Sequence, residues 1–352
     1  MTLHRRLGGR IAAVALAVLT GAGTLTACGD DGGESGGSGA AVQLKLGYFP
    51  NITHATALVG VQKGIFAKHL GTAPKTATFN AGPAAVEALF SGAIDATFVG
   101  PNPAINAWAK SHGKAVHIIS GAASGGVSLV VKPGINGVQD LKGKKIATPQ
   151  LGNTQDVAIR YWLKKQGLTA NKDGSGDVKI VPQENSQTLQ TFAEGQIDGA
   201  WVPEPFASRL VLESKGKKLL DEKTLWPGGK FVITNLLVSQ KFEKAHPDLV
   251  KKLLQGVVES SDFINKNPEE AKTVANDALS KLSGKPLKKD VLDSAFKEIE
   301  FTTDPVAGSL FTGAQHAEEV GLLEKTDLNG IYHLTPLNEV LKASGKAQVS
   351  DK

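Results

Sequence analysis

The sequence predicts an α/β protein built as two similar, doubly wound lobes around a hinged cleft. Three observations predict it. One plan of loop, helix and strand occurs twice, about a hundred residues apart. Within each copy, short apolar runs alternate with helical patterns that stop at glycine, the arrangement that gives parallel strands and right-handed crossovers. Beyond residue 240 the pattern turns helical, and this stretch is expected to pack back on the first lobe.

The first copy runs "KLGYFPNITHATALVGVQKGIF" (45–66) and then "FNAGPAAVEALFSGAIDATFVGPNPAI" (79–105). The second runs "KIATPQLGNTQDVAIRYWLKKQGL" (145–168) and then "VPQENSQTLQTFAEGQIDGAWVPEPFA" (181–207). In each, an apolar run meets Pro and Asn, and a helical pattern follows that ends at Gly64 or Gly167. A second loop and helix end at Gly92 or Gly195, where glycine supplies the left-handed stop. Then come G-x-I-D (Gly92 to Asp95, Gly195 to Asp198), a strand run, and "PNP" or "PEP". The copies are joined through "SLVVKPGINGVQDLKG" (128–143), which leaves a strand run at a Pro-Gly turn, and the chain returns through "KFVITNLLVSQ" (230–240). Pro247 and Pro268 stand where helices like to begin. The expected division is 43–130 with 230–352 in one lobe and 131–229 in the other.

The N-terminus has a different character. Arg5, Arg6 and Arg10 precede "IAAVALAVLT", an apolar run shorter than the ~20 residues a spanning helix needs, and small residues follow. Leu25, Thr26 and Ala27 lead into Cys28, the one cysteine in 352 residues. The order matches the bacterial lipobox. Residues 1–27 are therefore expected to be a lipoprotein signal peptide, and Cys28 the lipidated first residue of the mature chain. Residues 28–42 are Gly/Ser-rich without apolar periodicity and are expected to form a flexible tether, with a reach of roughly 20 Å. Without Arg5, Arg6 and Arg10 the 39 basic residues become 36, against 34 acids. The mature surface is nearly neutral, which argues against a nucleic-acid partner.

Catalytic and metal signatures are absent from the linear pattern. The eight histidines do not cluster along the chain, and no cysteine pair exists to hold zinc, so neither a metal nor a cofactor is expected. "GVQDLKGKK" (137–145) misses the phosphate-loop spacing by one residue and has Lys145 where Ser or Thr would hold magnesium. Ser214 and Lys217 satisfy S-x-x-K only within a lysine-rich turn, and no G-x-S-x-G elbow occurs.

The loops after the strands carry the candidate site, because open α/β sheets bind ligands off the carboxyl ends of their strands. Seven such loops contain no Lys or Arg: 48–56, 79–84, 99–106, 121–128, 148–156, 183–187 and 201–208. Each helix after a strand opens with cap-type residues: Thr53; Asn80 with Pro83; Asn153 with Thr154; Asn185 with Ser186. Helix starts aimed into one cleft offer bare N–H groups and positive dipole ends, a site for an anion of spread charge. Gly125 and Gly126 would let backbone come close, and Tyr48, Phe49, Trp201 and Phe206 could wall an organic tail. Glu204 in "VPEP" is the loop acid least explained by capping. It is either a surface charge or a partner for a ligand amine or hydroxyl.

With these loops in view, the sequence resembles the bacterial ABC-transporter substrate-binding lipoproteins of the aliphatic sulfonate, taurine and nitrate family. The resemblance rests on "GYFPNITHATALVG", "NAGPAAVEALFSGAIDATFVGPNPAI", "SGGVSLVV", "ATPQLGNTQDVA" and "VPEPFASRL". It implies a type II periplasmic-binding-protein fold and no enzymatic activity. It also implies capture of a small organic anion, an aliphatic sulfonate first, for a membrane permease with a cytoplasmic ATPase. By analogy the pocket holds Asn51, Thr53, Gly82, Asn102, Ser124, Gly125, Asn153, Thr154 and Glu204. The expected form is a monomer, lipid-anchored on the extracytoplasmic face of the cell membrane. The chain departs from the family in lacking a recognisable cationic grip. Taurine, nitrate, bicarbonate and a thiamine precursor or riboflavin remain open as ligands. Outside this class stand a sensor module and the pyrimidine synthases of the same fold, whose cysteine-rich motif this chain lacks.

Overall fold

The computed structural model describes residues 42–352, so the expected signal peptide, Cys28 and the expected tether to Ala41 lie outside the described residues. The chain begins with β1 (Lys45–Tyr48), a 3-10 turn (Ile52–His54), α1 (Ala55–Gln62) and α2 (Ile65–Leu70). Then come β2 (Lys75–Thr78), α3 (Gly82–Phe90), β3 (Ala96–Val99), α4 (Pro101–Lys110) and β4 (Val116–Gly125). The second lobe contains β5 (Val127–Val131), β6 (Lys145–Thr148), α5 (Thr154–Lys165) and β7 (Lys179–Pro182). It continues through α6 (Asn185–Ala193), β8 (Gly199–Pro203), α7 (Phe206–Ser214) and β9 (Lys217–Asp221). The return strand β10 (Val232–Ser239) precedes α8 (Gln240–Ala245), α9 (Pro247–Lys266), α10 (Pro268–Ser283) and α11 (Lys289–Lys297). The short β11 (Ile299–Glu300), α12 (Ala307–Glu319) and α13 (Thr335–Ala343) complete the chain.

Two separate sheets result, ordered β11-β4-β10-β3-β1-β2 and β7-β6-β8-β5-β9. In each, three strands of the repeat are parallel and the strand arriving from the other lobe, β10 or β5, inserts antiparallel. The central strands β1, β3, β5, β8 and β10 are buried along nearly all their length, as in sheets covered on both faces. The edge strands β2 (KTAT) and β9 (KKLLD) are instead largely polar and exposed or half-buried. The repeat is literal. Asp95 closes G-x-I-D by accepting the Lys45 N–H at 2.9 Å, and Asp198 accepts that of Lys145 at 2.8 Å. Both aspartates therefore pin the entry to β3 or β8 against the start of β1 or β6. The glycine stops at 64, 92, 167 and 195 have φ between 70° and 76°, which side chains with a Cβ rarely adopt.

The first crossing between sheets falls at Gly125 and Gly126, with φ of 81° and 71°, so β5 lies in the second sheet, ahead of the expected boundary at 130. The return crossing occupies 222–231. The two crossings touch: the Gly125 N–H donates to the Phe231 carbonyl, and the Phe231 N–H to Ser124 Oγ.

Pro247 and Pro268 are the first residues of α9 and α10. Buried Val250, Leu253, Leu254, Val257, Val258 and Ile264 give α9 one apolar face, which packs on α1 and α2. Contact there is close, since a Cβ at Gly60 or Gly256 would lie 2.5 Å from the Phe66 ring. The C-terminal segment does more than pack on the first lobe: α11 reaches α7 and α12 reaches α5, both in the second. Tyr161 of α5 stacks on His316 of α12 at 3.5 Å, and Ser208 Oγ donates to Ser294 Oγ. No helix among the described residues is long and apolar enough to cross a membrane.

Candidate functional site

The carboxyl ends of the parallel strands of both sheets meet at one small cavity. The first lobe contributes Phe49, Asn51, Thr53 and His54 after β1, Asn80 and Ala81 after β2, Gly100 after β3, and Ile233 of β10. The second contributes Pro149, Asn153, Thr154 and Gln155 after β6, Asn185 after β7, and Pro203 of β8. The lobes nearly touch inside it. A Cβ on Gly100 would lie 2.6 Å from Thr154 Oγ1, so glycine lets the β3–α4 turn meet the start of α5. At the rim, Asn80 Nδ2 donates across the cleft to Glu184 Oε1 at 2.6 Å.

No lining residue is Lys, Arg, Asp or Glu. Burial pushes the His54 pKa down to about 3, so the imidazole is neutral. Its Nδ1 accepts the Phe49 N–H at 3.3 Å, which assigns the proton to Nε2 and makes that nitrogen a donor. The Thr154 and Gln155 N–H groups at the start of α5 have no backbone partner, whereas those of Asp156 and Val157 donate to the Asn153 carbonyl. The two free groups carry the positive end of a twelve-residue dipole. Asn153 Nδ2 donates to Gln155 Oε1, orienting both amides. Thr154 Oγ1 and Asn185 Oδ1 are buried with no partner among the described residues. An unpaired buried polar atom costs about 1–3 kcal/mol, which a ligand supplying the partner removes.

The capping role expected of Thr53, Asn80, Asn153 and Asn185 is not what the structure shows. None of these side chains takes up a first-turn N–H; the residue before α3 is Ala81 and the one before α6 is Glu184. All four border the cavity instead.

Of the site residues expected from sequence, Asn51, Thr53, Asn153 and Thr154 line the cavity, and the other five are not part of its lining. Gly82 is packed beneath Pro103, where a Cβ would fall 2.2 Å from Pro103 Cγ. Asn102 is buried and donates to the Gly313 carbonyl. Ser124 and Gly125 belong to the crossing. Glu204 is neither a surface charge nor part of the lining: it is buried and accepts the Ser208 N–H in the first turn of α7 at 3.0 Å. Of the aromatic residues, Phe49 borders the cavity, whereas Tyr48 and Trp201 are core and Phe206 packs in the second lobe. Of the polar lining, His54, Asn80, Gln155 and Asn185 were not among the expected site residues. His54 adjoins Thr53 in sequence, and only its burial against Phe49 marks it out.

Burial raises the Glu204 pKa from 4.5 to about 7, against the lowering effect of the Ser208 bonds. The folded protein thus binds this proton more tightly than the unfolded chain. The resulting stability is complete below the unfolded value and is lost as pH rises through about 7. Thermal unfolding from pH 5 to 8 should show the native chain losing more stability than Glu204→Gln over that window. Parallel pH profiles for the two chains would refute the shift.

Two doubly wound lobes, with an uncharged polar cavity between their strand ends, define a protein of the periplasmic-binding-protein fold. The chain belongs to the NMT1-like family, whose model matches residues 38–279. It is 27% identical over 279 residues to the taurine-binding periplasmic protein of Escherichia coli, covering 75% of this chain and 83% of that one. Against the nitrate/nitrite binding protein NrtA of a Nostoc species it is 26% identical over 260 residues, covering 67% and 57%. The alkanesulfonate-binding protein SsuA of Xanthomonas axonopodis pv. citri, solved bound to MOPS, superposes with a TM-score of 0.69 at 21% identity. That match spans 83% of this chain and 98% of SsuA. All three of these relatives are named as binding proteins.

Proposed function

We propose that this chain is the extracytoplasmic solute-binding component of an ABC importer. It captures a small organic anion, an aliphatic sulfonate in first place, and delivers it to a permease driven by a cytoplasmic ATPase. The supporting observation is a cavity shared by both lobes, uncharged throughout, yet holding two orphaned buried oxygens and the bare start of α5. A sulfonate spreads one negative charge over three oxygens, so neutral N–H and O–H donors satisfy it without an ion pair. Phe49, Pro149, Pro203 and Ile233 offer an apolar side for its carbon tail. Taurine carries an ammonium that would call for a carboxylate, and none lines the cavity. The limited volume favours nitrate or bicarbonate as the rival reading.

Calorimetric titration of the full chain with ethanesulfonate, taurine, nitrate and bicarbonate separates these readings. Ethanesulfonate is expected to bind tightest and taurine more weakly. Tighter nitrate or bicarbonate binding would replace the sulfonate by a compact oxyanion, and no binding of any of the four would remove the anion. The lipobox pattern supports the further proposal that Cys28 carries the lipid anchor of a monomeric protein. Normally processed Cys28→Ser protein in the membrane fraction would refute the anchor.

A further inference from the structure

The first lobe gathers a cluster that no spacing in the sequence reveals. His117 stands near the start of β4, Glu243 on α8, and His333 in the segment before α13. Glu243 Oε2 lies 2.6 Å from His117 Nδ1, and its Oε1 lies 2.7 Å from His333 Nδ1. The three ligand-type atoms fall within 4.8 Å of one another. We propose that His117, Glu243 and His333 form a binding site for a divalent transition metal of the zinc class.

The donor set is two imidazoles and one carboxylate, with one position left for water, a combination that suits zinc. Each ligand sits on fixed backbone. The Ile118 N–H donates to the Ile331 carbonyl and the His333 N–H to that of Ile118, which ties His333 beside β4. Gln240 Nε2 donates to the Val116 carbonyl and holds the start of α8 against the same strand. The Glu243 side chain is 10% exposed, against 25% for His117 and 43% for His333, so a metal between them would face solvent on the histidine side. Ligands on a tetrahedral zinc stand about 3.3 Å apart, so the imidazoles must draw back by roughly 0.6 Å, within reach of partly exposed rings. The metal would take the place of the Nδ1 protons that now point at the Glu243 carboxylate. The cluster lies seven residues along β4 from Ser124, roughly 23 Å from the crossing, and is separate from the cleft.

Zinc is titrated into the tag-free full chain against a chromophoric chelator, and cobalt(II) provides the optical probe. The expected result is one saturable zinc site with visible cobalt bands of low coordination number. Affinity should fall at least about tenfold in His333→Ala and in Glu243→Gln. His333 is the most exposed of the three, so His333→Ala should leave the fold intact, and the cobalt spectrum of the native chain needs no substitution. Six-coordinate cobalt bands alone, or equal zinc affinity in the native chain and a His117→Ala/His333→Ala variant, would overturn the site.

Discussion

Asp156→Ala is expected to cost about 3–5 kcal/mol of stability, the penalty for leaving a buried charge without its partner. Asp156 is fully buried on α5, and the Arg160 side chain one turn further on is 2% exposed. The carboxylate is saturated. It accepts Arg160 Nε at 3.2 Å and Nη2 at 3.1 Å, Thr148 Oγ1 at 3.1 Å, and the Gly152 N–H at 3.0 Å. Arg160 Nη1 continues the network to the Ala170 carbonyl. One side chain therefore fastens the end of β6, the 149–153 loop and the second turn of α5. These are the segments that aim Pro149, Asn153 and Thr154 into the cavity. For a chain of this size the loss corresponds to a fall in Tm of about 5–8 °C, with weaker ligand binding alongside it. Differential scanning calorimetry of the variant measures it, and a Tm within 1–2 °C of the native value would show that the network is not needed.

Thr154→Val is expected to separate function from stability. The variant keeps the shape and branching of the side chain and deletes Oγ1, an atom buried without a partner. Its loss removes a desolvation penalty, so Tm should hold or rise. If Oγ1 donates to the anion, the lost bond to a charged group is worth about 1.5–3 kcal/mol, and affinity should fall about 10- to 150-fold. Calorimetry with the tightest-binding anion gives the affinity, and a melting curve without ligand gives the stability. Unchanged affinity for every anion the native chain binds would place the head group elsewhere in the cleft.

Local signals made much of the architecture legible. Glycine stops, proline helix starts and apolar strand runs depend on a few neighbouring residues, and the structure has them at Gly64, Gly167, Pro247 and Pro268. The lobe boundary was harder to read, because Val116 to Val131 is one nearly continuous buried run whose two halves differ only in the strands they pair with. The helix starts were recognisable from Asn51, Thr53, Asn153 and Thr154, but capping and ligand binding ask for the same residue types. Asn153 could serve either purpose on sequence grounds; the structure turns its amide to Gln155.

The sequence by itself determined the repeated α/β plan, the strand ends that face the cleft, and the absence of Lys and Arg from seven of its loops. These follow from periodicity, backbone conformation and composition, which act over short stretches of chain. Only the tertiary structure decided which side chains share a space. It turned Glu204 inward to α7, set Gly100 against Thr154 across the cleft, and brought His117 and His333 to one carboxylate. Each of these contacts joins parts of the chain whose approach depends on how whole elements pack, and packing is a property of the assembled core rather than of any local stretch.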